Sequence, residues 1–137
     1  MTGEMDLKTL LSSCEAIMAD DEYVFACVED RKIPAGLSPV MMFQEQEAMT
    51  LIVRRQDAQR AGLSFEYPCR MITLSIHSSL EAVGFMAHVS TLLADAGISV
   101  NPVAGFYHDH LFVPSAQADK AMSKLSTLNK KTNSDRA

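Results

Sequence analysis

The 137-residue sequence has no tryptophan, few cysteines and no long hydrophobic run, and each absence narrows the possible classes of protein. No apolar stretch approaches the roughly 20 residues of a membrane-spanning helix, so we expect no membrane partner. The first residues, MTGEMDLKTL, lack the basic stretch and long apolar block of a secretory signal peptide. Cys14, Cys27 and Cys69 are odd in number and lie among apolar residues. They favour reduced core thiols in a cytoplasmic protein over a disulfide framework.

An excess of positive charge is also missing, because the formal net charge is −5. An acidic surface repels the phosphates of nucleic acid, so nucleic acid is not an expected partner. Familiar catalytic signatures are missing as well, since the sequence has no P-loop, no G-x-S-x-G and no dinucleotide-binding glycine pattern. Cys69 follows a proline and has no nearby base, which favours a buried thiol over a nucleophile. We therefore expect no enzyme, no catalytic residue and no cofactor.

The sequence does contain 47% hydrophobic and 21% charged residues, which is the balance of a folded globular protein. In the first half, a run of apolar residues at helical spacing predicts a helix with one buried face. That face contains Leu7, Leu10, Leu11, Cys14 and Met18. A buried strand, YVFACV, follows, and then two further strands, VMMF and MTLIVRR. A short helix, QDAQRAG, ends at Gly62, so the predicted order is α-β-β-β-α.

The second half has a clearer pattern, which begins with the strand RMITLSIH. The stretch from Ser78 to Gly97 predicts a helix, because Ser78 and Glu81 match a capping box and Gly97 suits the left-handed turn at a helix end. Two strands, ISVNPVAGF and HDHLFVP, then predict a hairpin. A last helix begins near Ser115, and the polar tail NKKTNSDRA is expected to fray.

The order β-α-β-β-α in the second half is that of a ferredoxin-like unit that lacks its final strand. We therefore predict an α+β protein with two related ferredoxin-like modules, each with an antiparallel sheet and helices on one face. The boundary is expected near Glu66–Pro68. It separates a degenerate N-terminal module, residues 1–66, from a C-terminal module, residues 67–137.

The stretch LSIHSSLEAVGFMAHVSTLLADAGISVNPVAGFYHDHLFVP resembles an ACT domain, a small βαββαβ regulatory module that commonly binds amino acids. The resemblance depends most on HSSLEAVG and YHDHLFVP, and FQEQEAMTLIV in the first half is a weaker second match. More narrowly, the chain resembles small bacterial proteins with two ACT-like modules. Those proteins are related to the regulatory part of aspartate kinases and to the tandem-ACT arginine sensor of animal cells. Val83 stands where many ACT domains have proline, and Ala48 where relatives of this type tend to have glycine.

The turn from His77 to Gly84 is the candidate ligand-binding site. A helix start offers unpaired N–H groups and the positive end of the helix dipole, which suit a carboxylate. Gly84 would let a ligand backbone approach closely, and Glu81 could hold an ammonium or guanidinium group. Alternatively, Ser78 and Glu81 only cap their own helix and Gly84 only permits close packing. The predicted ligand-binding residues are Ser78, Ser79, Leu80, Glu81, Ala82, Val83, Gly84 and Asn101.

His108, Asp109 and His110 form a His-x-His pattern at the last predicted strand. Residues two apart in a strand point to one face, so both imidazoles could meet a metal ion. A zinc site needs a third and usually a fourth ligand, and His77 and His88 are the only other histidines. We therefore predict no metal and expect these three residues to shape a hairpin and a subunit interface. A homodimer is expected because an unpaired sheet edge tends to be covered by another chain.

The expected function is non-enzymatic binding of a small molecule, with an amino acid as the first candidate, by a regulatory protein of the tandem ACT type. The alternative is an interaction module that dimerises or docks on a partner protein through its sheets and binds no small ligand.

Overall fold

The computed structural model describes residues 3–129, which contain six strands and four α-helices. The strands are β1 (Ala16–Val28), β2 (Met41–Gln44), β3 (Met49–Arg54), β4 (Phe65–Leu74), β5 (Asn101–Ala104) and β6 (Asp109–Pro114). The helices are α1 (Leu7–Ser13), α2 (Arg55–Arg60), α3 (Phe85–Asp95) and α4 (Ala118–Leu125), with a 3-10 turn at Ser115–Gln117. None of these helices is long and apolar enough to cross a membrane. From residue 130 onward, the predicted polar tail lies outside the described residues.

The chain divides into two compact units that do not follow each other along the sequence. The inserted unit comprises Asp20–Cys69, and the terminal unit comprises the residues before Asp20 together with those from Arg70 onward. Strands β1 and β4 pass through both units, because each contains one of the two boundaries. The division into modules 1–66 and 67–137 stays a prediction about the sequence. The compact units differ from it by joining the first residues of the chain to the second half.

The inserted unit is built on strands in the order β4-β1-β3-β2. β3 pairs antiparallel with both of its neighbours, with Val53 opposite Val24 of β1 and Leu51 opposite Met42 of β2. Leu51 and Val53 lie two apart and are fully buried, as expected for residues on the core-facing side of a strand. The core of this unit contains Val24, Val28, Met49, Leu51, Val53 and Ala58. The predicted strands VMMF and MTLIVRR and the short helix before Gly62 are confirmed.

The terminal unit has the strand order β1-β4-β6-β5. Here β4, β5 and β6 are the first three strands of the predicted order, and the beginning of β1 takes the place of the fourth strand beside β4. The backbone N–H of Ser75 donates to the carbonyl of Glu15 at 2.7 Å, and the guanidinium of Arg70 donates to the carbonyl of Ala19 at 2.6 Å. The final strand that the second half lacked is therefore supplied by the beginning of the chain.

Helix α3 covers the core of the terminal unit. Its buried residues, Phe85, Val89 and Leu93, are spaced by four, which places them on one helix face and confirms the predicted packing side. They belong to one apolar cluster with buried residues of β4 and β6, namely Ile72, Leu74, Leu111 and Val113. Antiparallel pairing of β5 with β6 continues the sheet. The predicted α+β class with antiparallel ferredoxin-like modules is confirmed.

Two predicted boundaries in the first and middle parts of the chain are wrong. α1 ends at Ser13 instead of Met18, because Ala16 and Met18 are partly buried around an exposed Ile17 and begin a strand with period 2. The strand predicted as RMITLSIH, Arg70–His77, is β4. It begins earlier than predicted, at Phe65, and also ends earlier, at Leu74. Residues 65, 67 and 69 alternate with exposed residues at 66 and 68, so the strand pattern already begins before the proline.

Candidate ligand-binding site

The segment from Ser78 to Gly84, predicted as the first turns of a helix, is a loop between β4 and α3. The hydroxyl of Ser78 donates a 3.0 Å hydrogen bond to Oδ2 of Asp109 at the start of β6. The hydroxyl oxygen of Ser79 accepts the backbone N–H of Glu81 at 3.1 Å, which stabilises a local turn. The prediction of a capping box is therefore wrong, because these two hydroxyls bind β6 and the loop itself and do not cap a helix.

Gly84 is the residue at which α3 actually begins. It is the N-cap of the helix, with φ of 90°, a left-handed conformation that favours glycine. Within the described part of the chain, no side chain caps α3 at this position, and a helix start leaves its first N–H groups without intrahelical acceptors. Phe85 and Met86 therefore lie at the positive end of the helix dipole, where backbone N–H groups suit a carboxylate.

The beginning of the described chain lies along the other side of the loop. Glu4 forms an isolated parallel β-bridge with Ser78. Gly3 lies so close to the loop that a Cβ atom at this position would be 2.5 Å from the backbone nitrogen of Ser79. Ser78 and Ser79 are only 8% and 6% exposed, which is unusual for serine in a surface loop. The loop is thus fixed between the N-terminal segment and β6.

A cavity of about 180 Å³ lies between this loop, the start of α3 and the β5–β6 hairpin. Its lining combines three polar and five apolar residues: Ser78, Ser79, Asp109, Leu80, Ala82, Phe85, Met86 and Ala104. Four of the eight predicted ligand-binding residues therefore meet at one cavity, together with a carboxylate that the sequence had indicated only for an interface.

The other four predicted ligand-binding residues do not line this cavity. Glu81 is exposed, and Val83 is 84% exposed. Gly84 lines a separate depression with Leu7 along α3. Asn101 is exposed at the first position of β5. The loop therefore contributes Ser78, Ser79, Leu80 and Ala82 to the cavity, and Glu81 does not line it.

The two histidines of the His-x-His pattern bind groups of the same unit. Nδ1 of His108 lies 3.3 Å from the carbonyl oxygen of Ile76, and Nδ1 of His110 lies 2.9 Å from the hydroxyl of Thr73. Burial lowers the pKa of His110, the positive charge of His108 lowers it further, and the carboxylate of Asp109 opposes both. Among residues 3–129, no group of three or more histidine, cysteine or acidic side chains is arranged to hold a metal ion.

Asp109 interacts both with the loop at the cavity and with a residue in the interior of the unit. Its carboxylate accepts the hydroxyl of Ser78 and acts electrostatically on the buried thiol of Cys14. Burial raises the pKa of Cys14 to about 11, and the negative charges of Asp109 and Glu15 add to the effect. The negative charge at the cavity is therefore close to the apolar core, where electrostatic interactions are stronger than in water.

Two successive matches identify the family. A model of the ACT domain matches residues 2–70, and a second model of the ACT domain matches residues 66–127. The chain belongs to the ACT domain family. The resemblance noted in the sequence is confirmed, and it covers both halves. ACT domains are typically regulatory, ligand-binding modules without catalytic activity.

Solved structures agree with the ACT assignment. A Vibrio cholerae protein, described as a protein of unknown function and possible transport protein, is 38% identical with a TM-score of 0.80, covering 90% of this chain and 95% of that one. A protein from Agrobacterium tumefaciens is 18% identical with a TM-score of 0.71, covering 85% and 89%. The regulatory subunit of aspartate kinase from Thermus flavus is 12% identical with a TM-score of 0.66, covering 83% and 96%. The last two likenesses show the fold alone. No curated protein sequence matches the chain significantly.

Proposed function

We propose that the terminal unit of this ACT protein is a non-enzymatic regulatory module that binds a small zwitterion of the amino acid class in the loop cavity. The supporting observation is that one cavity is lined both by a carboxylate, that of Asp109, and by the first residues of an uncapped helix, Phe85 and Met86. A free amino acid has an ammonium group and a carboxylate a few bonds apart. It therefore matches a site with one negative group and one positive helix end.

The charges of the ligand determine its orientation in this proposal. The ligand ammonium donates to Asp109, whose Oδ2 already accepts Ser78, so that Oδ1 is the oxygen assigned to the ligand. The ligand carboxylate accepts from the N–H groups at the start of α3. The N–H of Ser79 does not take part, because it donates to the carbonyl of Glu4.

The size of the cavity agrees with such a ligand. A volume of about 180 Å³ is smaller than the roughly 300–1,000 Å³ that pockets for drug-sized ligands occupy. The polar residues Ser78 and Ser79 are buried at one side of it, which limits the solvent that competes for the ligand charges.

A thermal-shift screen against the twenty amino acids tests this function, because a ligand that binds only the folded protein raises the Tm. Asp109→Asn removes the charge and keeps an oxygen that can accept from Ser78. We expect it to weaken the binding of any amino acid found by at least about tenfold. Glu81→Gln removes an exposed carboxylate that does not line the cavity, so it is the matched control and should bind like the parent. A screen without any shift contradicts the function, and an unchanged affinity in Asp109→Asn contradicts the site.

We also propose that the protein forms a homodimer. Association with another chain through exposed apolar groups is, in addition, the second candidate function. In the β5–β6 hairpin, Phe106 and Tyr107 are 60% and 64% exposed, and their rings contact each other with centroids 5.1 Å apart. The ring of Tyr107 also lies 5.5 Å from that of His77. An exposed aromatic pair suits a protein interface, where aromatic residues are enriched. Light scattering on the parent and on Phe106→Ser tests this, and a parent protein that is monomeric at high micromolar concentration contradicts it.

A further inference from the structure

We infer, on the basis of the proposed function, that the cavity selects amino acids with a small, uncharged side chain. The inference depends on the apolar side chains of the lining, which are those of Leu80, Ala82, Phe85, Met86 and Ala104.

The charges of the lining exclude charged side chains. Among residues 3–129, Asp109 is the only ionisable residue that lines the cavity. An acidic ligand side chain would meet no cation there and would lie near a carboxylate, which is unfavourable in a partly buried site. A lysine or arginine side chain would compete with the ligand ammonium for the same carboxylate, and one of the two positive charges would lack a partner.

The dimensions of the lining limit the size of the side chain. Phe85 is 3% exposed and belongs to the apolar core, so it forms a fixed wall. Ala104 lies directly opposite Asp109 in the pairing of β5 with β6, so its small side chain leaves the space beside the carboxylate open. Met86 is flexible and polarisable and can adjust to side chains of different shape. Alanine, serine and valine fit these limits, and tryptophan does not.

Calorimetric titration with single amino acids tests the inference directly. Alanine and valine should bind at least about tenfold more tightly than aspartate, lysine, arginine or tryptophan. Ala104→Leu should fill the space beside Asp109 and weaken valine binding by at least about tenfold. Val103→Leu is the matched control, because adjacent residues of a strand point to opposite faces, and it should bind valine like the parent.

The outcomes distinguish a failure of the inference alone from a failure of the function on which it rests. Binding of arginine or aspartate as tightly as alanine overturns the selectivity and leaves the amino acid site standing. Equal weakening by Ala104→Leu and Val103→Leu, or by neither, overturns the assigned wall. If no amino acid binds, the proposed function fails and the selectivity fails with it. The Tm of each variant, measured beside the titrations, shows whether a loss of binding comes from loss of the fold.

Discussion

The backbone N–H of Ser79 donates a 2.8 Å hydrogen bond to the carbonyl of Glu4, and the N–H of Glu4 donates one of 2.7 Å to the carbonyl of His77. The N-terminal segment thus pairs, in the manner of a short strand, with the beginning of the loop that lines the cavity. Backbone pairing of this kind stabilises the contact without requiring particular side chains. The loop therefore owes part of its conformation to residues more than seventy positions earlier in the chain.

Gly3→Ala should detach this segment from the loop. The new Cβ would be 2.5 Å from the backbone nitrogen of Ser79 and 2.6 Å from the carbonyl carbon of Ser78, and backbone atoms cannot rotate away. We expect the amide of Ser79 to exchange its hydrogen at least about tenfold faster in this variant, as measured by native-state hydrogen exchange. Met5→Ala, at a residue that is 53% exposed, is the control. Unchanged exchange at Ser79 would show that the segment does not protect the loop.

Gly84→Ala should destabilise the protein although the added methyl group has room. The nearest atom to the new Cβ would be Cδ2 of Leu7 at 3.6 Å, an ordinary contact. The cost comes from φ of 90°, since an L-residue in the left-handed region loses about 1–2 kcal/mol. Gly84→Asn should lose less, because asparagine tolerates this conformation. Chemical denaturation measures both, and an alanine variant as stable as the parent would place Gly84 in a helical conformation instead.

Those parts of the fold that depend on residues close together in the sequence could be predicted from it. The buried face of α3 follows from apolar residues four apart, and the β2–β3 and β5–β6 hairpins follow from short apolar strands joined by polar turns. The place of β1 beside β4 could not be predicted, because it joins the first residues of the chain to the second half. No local pattern reports such a pairing.

The candidate site was predicted only in part, because one of its contacts also joins residues that are far apart in the sequence. The loop was found because serines and a glycine stand before an apolar helix, but the capping-box pattern placed the helix start at Ser78 and not at Gly84. The hydrogen bond between Ser78 and Asp109 spans 31 positions, so the place of that carboxylate in the lining of the cavity was missed. Its only signal was an acidic residue between two histidines in an otherwise apolar run.

The three cysteines should differ in reactivity. The sequence predicted core thiols at all three positions, which is confirmed for Cys14 and Cys69 and wrong for Cys27, whose strand position is exposed. Burial raises the pKa of Cys14 to about 11 and that of Cys69 to about 12, so neither is a nucleophile near neutral pH.

A thiol reagent should therefore modify one cysteine rapidly in the native protein and all three only after unfolding by denaturant. Cys27→Ser should abolish the rapid reaction, and Cys14→Ala should leave it unchanged. Spectrophotometric titration of the thiols gives the count. Rapid modification of more than one thiol in the native parent would show that the core around Cys14 or Cys69 opens readily.

The last prediction concerns the stability of the fold below neutral pH. Burial lowers the pKa of His110 below its ordinary value of 6.5, so the unfolded chain binds the proton more readily than the folded one. Above about pH 6.5, where His110 is neutral in both states, the free energy of unfolding therefore has its full contribution from this residue. It decreases as the pH falls below about 6.5 and continues to decrease until the lowered pKa of the folded state is reached.

Replacing the imidazole should therefore flatten this part of the pH dependence. In His110→Asn the side-chain amide can still reach the hydroxyl of Thr73, which lies 2.9 Å from Nδ1 in the parent, but it does not titrate. The difference in free energy of unfolding between about pH 7 and about pH 5 should be smaller in His110→Asn than in the parent. His88→Asn, at an exposed position of α3, controls for the loss of an imidazole as such. Urea unfolding at the two pH values measures the difference. An equal decrease in His110→Asn and the parent would mean that His110 is protonated in the folded protein as readily as in the unfolded chain.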